Sequence, residues 1–160
     1  MPCYLFSYHA YASWLPDRQR GYVRRGQGIL PPDREMAEHY RQNMTQDVVR
    51  FDDAVQRHMV EELLAASEHQ QMRCHYVSTE PTHVHVLVSW TINRKWEVVR
   101  AKLRESVTRR LNREVRRQEW FSKSPSRKRV KDRGHFDYLM TEYLRKHSGW
   151  KWRETHGFFR

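Results

Sequence analysis

At 160 residues the chain has the length of one domain, enough to bury a core. Its 38% hydrophobic and 12% aromatic content excludes a disordered chain, no apolar run approaches a membrane span, and the opening MPCYLFSYHAYASW lacks the basic start of a signal peptide. The net charge of +11 is concentrated: residues 94–133 hold 16 Lys+Arg against 5 Asp+Glu and the other 120 residues hold 14 of each, which points to a polyanionic partner.

The two cysteines, Cys3 and Cys74, suggest no disulfide framework and fit a reducing cytoplasm. Residues 3–14, rich in Tyr and Phe, predict a first strand that Pro16-Asp17 ends. Residues 16–32 hold half of the six glycines and half of the six prolines, together with Arg18, Arg20, Arg24 and Arg25. They read as a loop, part of an insertion over about 16–44. Val48, Phe51, Val55, Met59 and Leu63 form a stripe at three- and four-residue spacing, which predicts a helix over 45–69 with Thr45 as N-cap.

QMRCHYVST, at 71–79, and residues 83–90 predict an antiparallel hairpin turning at Pro81. Trp96, Val99, Leu103, Val107, Leu111 and Val115 predict a long helix from about Asn93 to Arg117. Its outer sides carry Arg109, Arg110, Arg113, Arg116 and Arg117. WFSKSPSRKRVKD, at 120–132, reads as a basic loop with room for a short edge strand. Its Arg127, Lys128, Arg129 and Lys131 join the helical arginines as candidate nucleic-acid-binding residues. A last helix spans about Phe136 to His147, and GWKWRETHGFFR follows. This order predicts a single α+β domain over 1–160: a split βαβ, ferredoxin-like antiparallel sheet with helices on one face and the other face free for chemistry.

Within PTHVHVLVSW, at 81–90, His83 and His85 must share one face of their strand. They are either packing residues with hydrogen-bond partners or two ligands for one ion. On the last helix Tyr143 and His147 are one turn apart, and Tyr138 and Glu142 have the same spacing. Taken alone, the tyrosines could be core and His147 a surface residue favoured near a helix C-terminus. Trp120, Phe121, Trp150 and Trp152 are candidates for base stacking or for ordinary packing.

EPTHVHVLVSW followed downstream by EYLRKHSGWKW, on a small basic chain of this element order, resembles the single-tyrosine HUH endonucleases. Within them it is similar to small insertion-sequence transposases and REP-associated tyrosine transposases, from the first strand to about Trp152. The resemblance implies a metal-dependent endonuclease and strand transferase acting on single-stranded DNA, often hairpin-bearing. It implies that Tyr143 is the nucleophile, forming a 5′-phosphotyrosine and a free 3′-hydroxyl. It also implies that His83, His85 and His147 bind one divalent metal, Mg2+ or Mn2+. A homodimer and a cytoplasmic, nucleoid-associated location follow from the same likeness. Two features depart from the family pattern. His147 stands where Gln or Asn is usual, which shifts the expected preference towards manganese. The insertion at 16–32 is longer than a minimal member needs. The rival readings are a non-catalytic RNA- or DNA-binding module and a water-using metal-dependent nuclease whose tyrosine is structural.

Overall fold

The computed structural model describes residues 1–13, 21–24 and 26–160. Pro16, Asp17, Arg18, Arg20 and Arg25 lie outside the described residues. Strand β1 (Cys3–His9) is followed by a separate small hairpin, β2 (Tyr22–Arg24) with β3 (Gly28–Leu30), and by helix α1 (Arg34–Gln42). The expected loop thus contains regular structure. Helix α1 is too polar and short to show as an apolar stripe, and it buries just Ala37; Asp33 caps it by accepting from the Met36 N–H.

Helix α2 (Asp53–His69) begins well after Thr45. Its cap is Asp52, whose carboxylate accepts the Val55 N–H at 2.9 Å. The segment before it is not helical, although Val49 and Phe51 are buried, and Val48 is exposed. Strands β4 (Arg73–Glu80) and β5 (His83–Ser89) form the predicted hairpin, followed by α3 (Trp96–Glu114) and the edge strand β6 (Ser126–Arg129). The last helix is composite. An α-helical start, α4 (Arg133–Tyr138), runs into a π turn over Leu139–Tyr143 and a 3-10 turn over Leu144–Lys146. The C-terminal stretch, unassigned from sequence, is a hairpin of β7 (Lys151–Arg153) and β8 (Gly157–Phe159).

The main sheet has the order β6-β1-β5-β4-β7-β8, with every neighbouring pair antiparallel. Its first four strands are the expected split βαβ unit. On one face, Tyr4, Phe6, Tyr8, Val84, Val86 and Val88 pack against α2 and α3. Those helices contribute Val55, Met59, Leu63, Val99, Leu103, Val107 and Leu111. Alternation along the strands sends Leu5, Leu87 and Tyr76 to the opposite face, where Leu139 and Leu144 of the composite helix cover them.

The π turn explains how that helix docks. In an α-helix, residues five apart point about 140° away from each other. Here the Leu144 N–H bonds to the Leu139 carbonyl, a five-residue closure, and both leucines reach the sheet fully buried. Their burial contributes about 3–6 kcal/mol to holding the segment down. Among the described residues, no helix is long and apolar enough to cross a membrane.

Candidate metal and nucleophile site

Strand register builds the site on the face opposite α2 and α3. On β1, Ser7 lies beside His85 and His9 beside His83; on β4, Ser78 and Glu80 flank the same two histidines. His147 closes the cluster from the C-terminal segment. Its ring centroid is 5.3 Å from His83 and 4.6 Å from His85, and His83 and His85 are 4.7 Å apart. The Tyr143 ring stands 5.5 Å from both His85 and His147.

The Nδ1 atoms of all three histidines are engaged. The His147 Nδ1–H donates to the Leu144 carbonyl at 3.2 Å. Since a carbonyl only accepts, this fixes the tautomer and leaves the Nε2 lone pair available. His83 Nδ1 is 3.0 Å from the Thr82 hydroxyl, and His85 Nδ1 hydrogen-bonds with the Ser7 hydroxyl. His85 Nε2 is buried and has no hydrogen-bond partner among the described residues. An orphaned buried imidazole nitrogen is costly unless something else binds it.

One ligand atom from each histidine lies within 4.8 Å of the others. A metal holding nitrogens at about 2.1 Å needs them no more than about 4.2 Å apart, so the rings need close by under an ångström. Electrostatics favour the same use. Burial, with neighbouring His147 and His9, pulls His83 down to about 4. Burial, with the neighbouring histidines and Lys128, pulls His85 down to about 2, and burial also lowers His147. All three are neutral at pH 7 and need lose no proton to ligate.

His147 owes its position to a latch rather than to helical spacing. The helix ends at Lys146, and His147 is extended, with ψ of 140°. Glu80 then accepts from the Ser148 N–H at 2.7 Å and from its hydroxyl at 2.8 Å. Burial opposes ionisation of Glu80, but these two bonds and the nearby histidines outweigh it and hold the carboxyl below its usual range. Gly149 donates to the Thr79 carbonyl at 3.0 Å, and a β-carbon there would lie 2.4 Å from that oxygen. Lys151, nearly buried, donates to the His147 carbonyl at 2.6 Å.

Tyr143 is half-buried; burial and the adjacent Tyr138, 6.4 Å away, push its phenol above the ordinary value. The nearby positive charge is Lys128, whose Nζ is 6.0 Å from the Tyr143 ring. Cross-strand pairing explains why. Lys128 pairs with Leu5 on the histidine side, whereas Arg127 and Arg129 pair with Phe6 and Tyr4 on the other. Arg127 accordingly stacks on Trp96 at 4.0 Å.

The α3 arginines sit on the far layer. Arg110 ion-pairs with Glu61 at 2.8 Å, Glu62 at 3.5 Å and Glu114 at 3.8 Å, joining α2 to α3. Arg109 pairs with Glu105 and Arg113 with Glu114 on the exposed surface. Arg116 and Arg117 line a groove with Arg41 and Thr45–Asp47, and Lys131 is exposed. Trp120 and Phe121 are core residues, and Trp150 and Trp152 pack against the same core. Sequence reasoning missed Ser7, His9, Glu80 and Ser148. Ser7 and His9 repeat the period-2 spacing of His83 and His85, but the signal has meaning only once β1 is known to lie beside β5.

No family profile and no curated protein matches the chain. Solved structures do. One is a REP-associated tyrosine transposase bound to a REP hairpin, matched at a TM-score of 0.51 and 7% identity over 89% of this chain and 64% of that chain. Another is a candidate transposase from Deinococcus radiodurans R1, at a TM-score of 0.48 and 12% identity over 93% and 92%. This chain, with its histidine cluster and adjacent tyrosine, shares its fold with the REP-associated tyrosine transposase and spans 64% of that protein's length.

Proposed function

We propose that the chain is a metal-dependent, transposase-like enzyme that nicks and rejoins single-stranded DNA through a covalent link to Tyr143. The observation that carries the reading is the convergence of His83, His85, His147 and Tyr143 on one sheet face, with the buried His85 Nε2 lacking a hydrogen-bond partner among the described residues. Imidazoles suit manganese better than magnesium. A divalent ion held by the three histidines supplies polarisation of a phosphate and neutralises charge on its oxygens.

The chain's own groups do the rest. The latch through Glu80, Ser148 and Gly149 keeps His147 over His83 and His85. The Tyr143 oxygen attacks phosphorus, the bond to the 3′-oxygen breaks, and a 5′-phosphotyrosine and a free 3′-hydroxyl result. Burial and Tyr138 hold the Tyr143 phenol above its usual value, so it is a weak nucleophile at neutral pH and needs positive charge to stabilise its anion. Lys128 is the protein cation placed to contribute. A hairpin-bearing strand is the preferred substrate, in keeping with the REP hairpin bound by the structural neighbour.

The test is incubation of labelled single-stranded oligonucleotides with protein and manganese, followed by a denaturing gel. A protein–DNA adduct is expected, and Tyr143→Phe should abolish it while leaving oligonucleotide binding within about threefold. Nicks without an adduct would replace this reading with a water-using nuclease, and no cleavage would leave a binding module.

A further inference from the structure

Tyr143 and His9 stand at opposite ends of the histidine row. His9 is the cross-strand partner of His83, and their rings are 5.7 Å apart. Ser7, two residues earlier on β1, bonds to His85, so His9 points to the same face. Tyr143 rests on His85 and His147, packs against the cluster that contains Leu5 and Leu87, and lies near Lys128, the cross-strand partner of Leu5, further along the same two strands. Along β5 the order is therefore His9 beside His83, then His85, then Tyr143. His9 lies outside the group of mutually close ligand nitrogens.

Displacement at phosphorus puts the attacking and leaving oxygens roughly in line, on opposite sides. With a phosphate held at the three histidines and Tyr143 entering from one end, the departing oxygen faces the other end, where His9 is. We infer that His9 donates a hydrogen bond from its imidazole N–H to the 3′-oxygen that leaves the scissile phosphate, a role that rests on the cleavage reading above. The step balances. The Tyr143 oxygen forms the new bond to phosphorus, and the old P–O bond breaks with its electron pair left on the 3′-oxygen. The phenol proton passes to water, and the 3′-oxygen takes one up from water. An imidazole carries at least one N–H in either protonation state. The contact strengthens as negative charge grows on the departing oxygen, so it lowers the barrier rather than merely binding substrate.

The test replaces the bridging 3′-oxygen at the cut phosphate with sulfur, a leaving atom stable as its anion without a hydrogen bond. On the oxygen substrate, His9→Ala should slow adduct formation by about 100-fold or more. On the sulfur substrate it should stay within about threefold of the unaltered protein. His9→Gln, which keeps an N–H, should fall between the two on oxygen. Manganese binding, measured by calorimetry without DNA, should be unchanged in both variants and lost in His83→Ala. Equal slowing on both substrates, no slowing on either, or weakened manganese binding in His9→Ala overturns the inference and leaves His9 as a support for His83. If the unaltered protein forms no adduct at all, the cleavage reading falls and takes this role with it.

Discussion

His85 is the most strongly perturbed titrating group in the site: burial and its neighbours hold it at about 2, against about 4 for His83. In the unfolded chain both titrate near 6.5. Between those values the unfolded chain binds more protons than the folded one. Stability from this source is complete above about pH 6.5 and is lost as pH falls towards about 4, by up to about 1.4 kcal/mol per pH unit for each histidine. The urea midpoint of the metal-free protein should therefore drop steeply across that range. The double variant His83→Gln, His85→Gln should drop less, and parallel curves would assign the acid sensitivity to other groups. These two histidines were legible because a strand's period of two needs no tertiary knowledge. Ser7 and Glu80 were not, because their contacts depend on which strand lies beside β5 and which loop folds back over it.

At the scale of elements, the spacing of Tyr143 and His147 suggested one helical turn, and the two residues do meet, but by another route. A π turn, a 3-10 turn and an extended residue replace the single helix. The tight passage of Gly149 past Thr79 then sets the height of His147 above the sheet. Gly149→Ala should cost about 1–3 kcal/mol, read from the urea midpoint, because the new carbon would press on Gln56 Oε1, Thr79 Oγ1 and the Thr79 carbonyl, the last of which is backbone and has little room to move. It should also weaken manganese binding; an unchanged affinity would mean that His147 reaches the ion without the latch. The basic elements divide in a way the charge count hid. Arg110→Ala should cost about 1–3 kcal/mol through its lost ion pairs and leave the salt dependence of DNA binding alone. Lys128→Ala should leave stability alone and reduce the log–log salt slope by up to about 0.7. The reverse outcome would place DNA on α3. Sequence periodicity found α2, α3, β4 and β5, which bury stripes or alternate faces. It could not find α1, which buries one alanine, or the three-residue strands β7 and β8, which exist by pairing with β4 and each other.

For the whole molecule, an ion that binds only the folded arrangement adds about 2.7 kcal/mol at a hundred times its dissociation constant. For a chain of this size that is a rise in Tm of roughly 5–10 °C. Manganese should produce it, and the double variant His83→Ala, His85→Ala should not respond; an equal rise in the variant would put the ion elsewhere. The split βαβ plan was readable as an order of elements, whereas the covering of the second sheet face was not, since it rests on the five-residue closure at Leu139 and Leu144. The placement of Tyr143 and His147 on that covering has a consequence for synthesis. A nascent chain completed through Arg129 already contains β1, β4, β5, β6, α2 and α3, yet neither the phenol nor the third imidazole. Synthesis therefore delivers the strands and helices of the larger core before Tyr143 and His147, and on the covalent reading proposed above a chain broken between the two lacks the side chain that would link it to DNA.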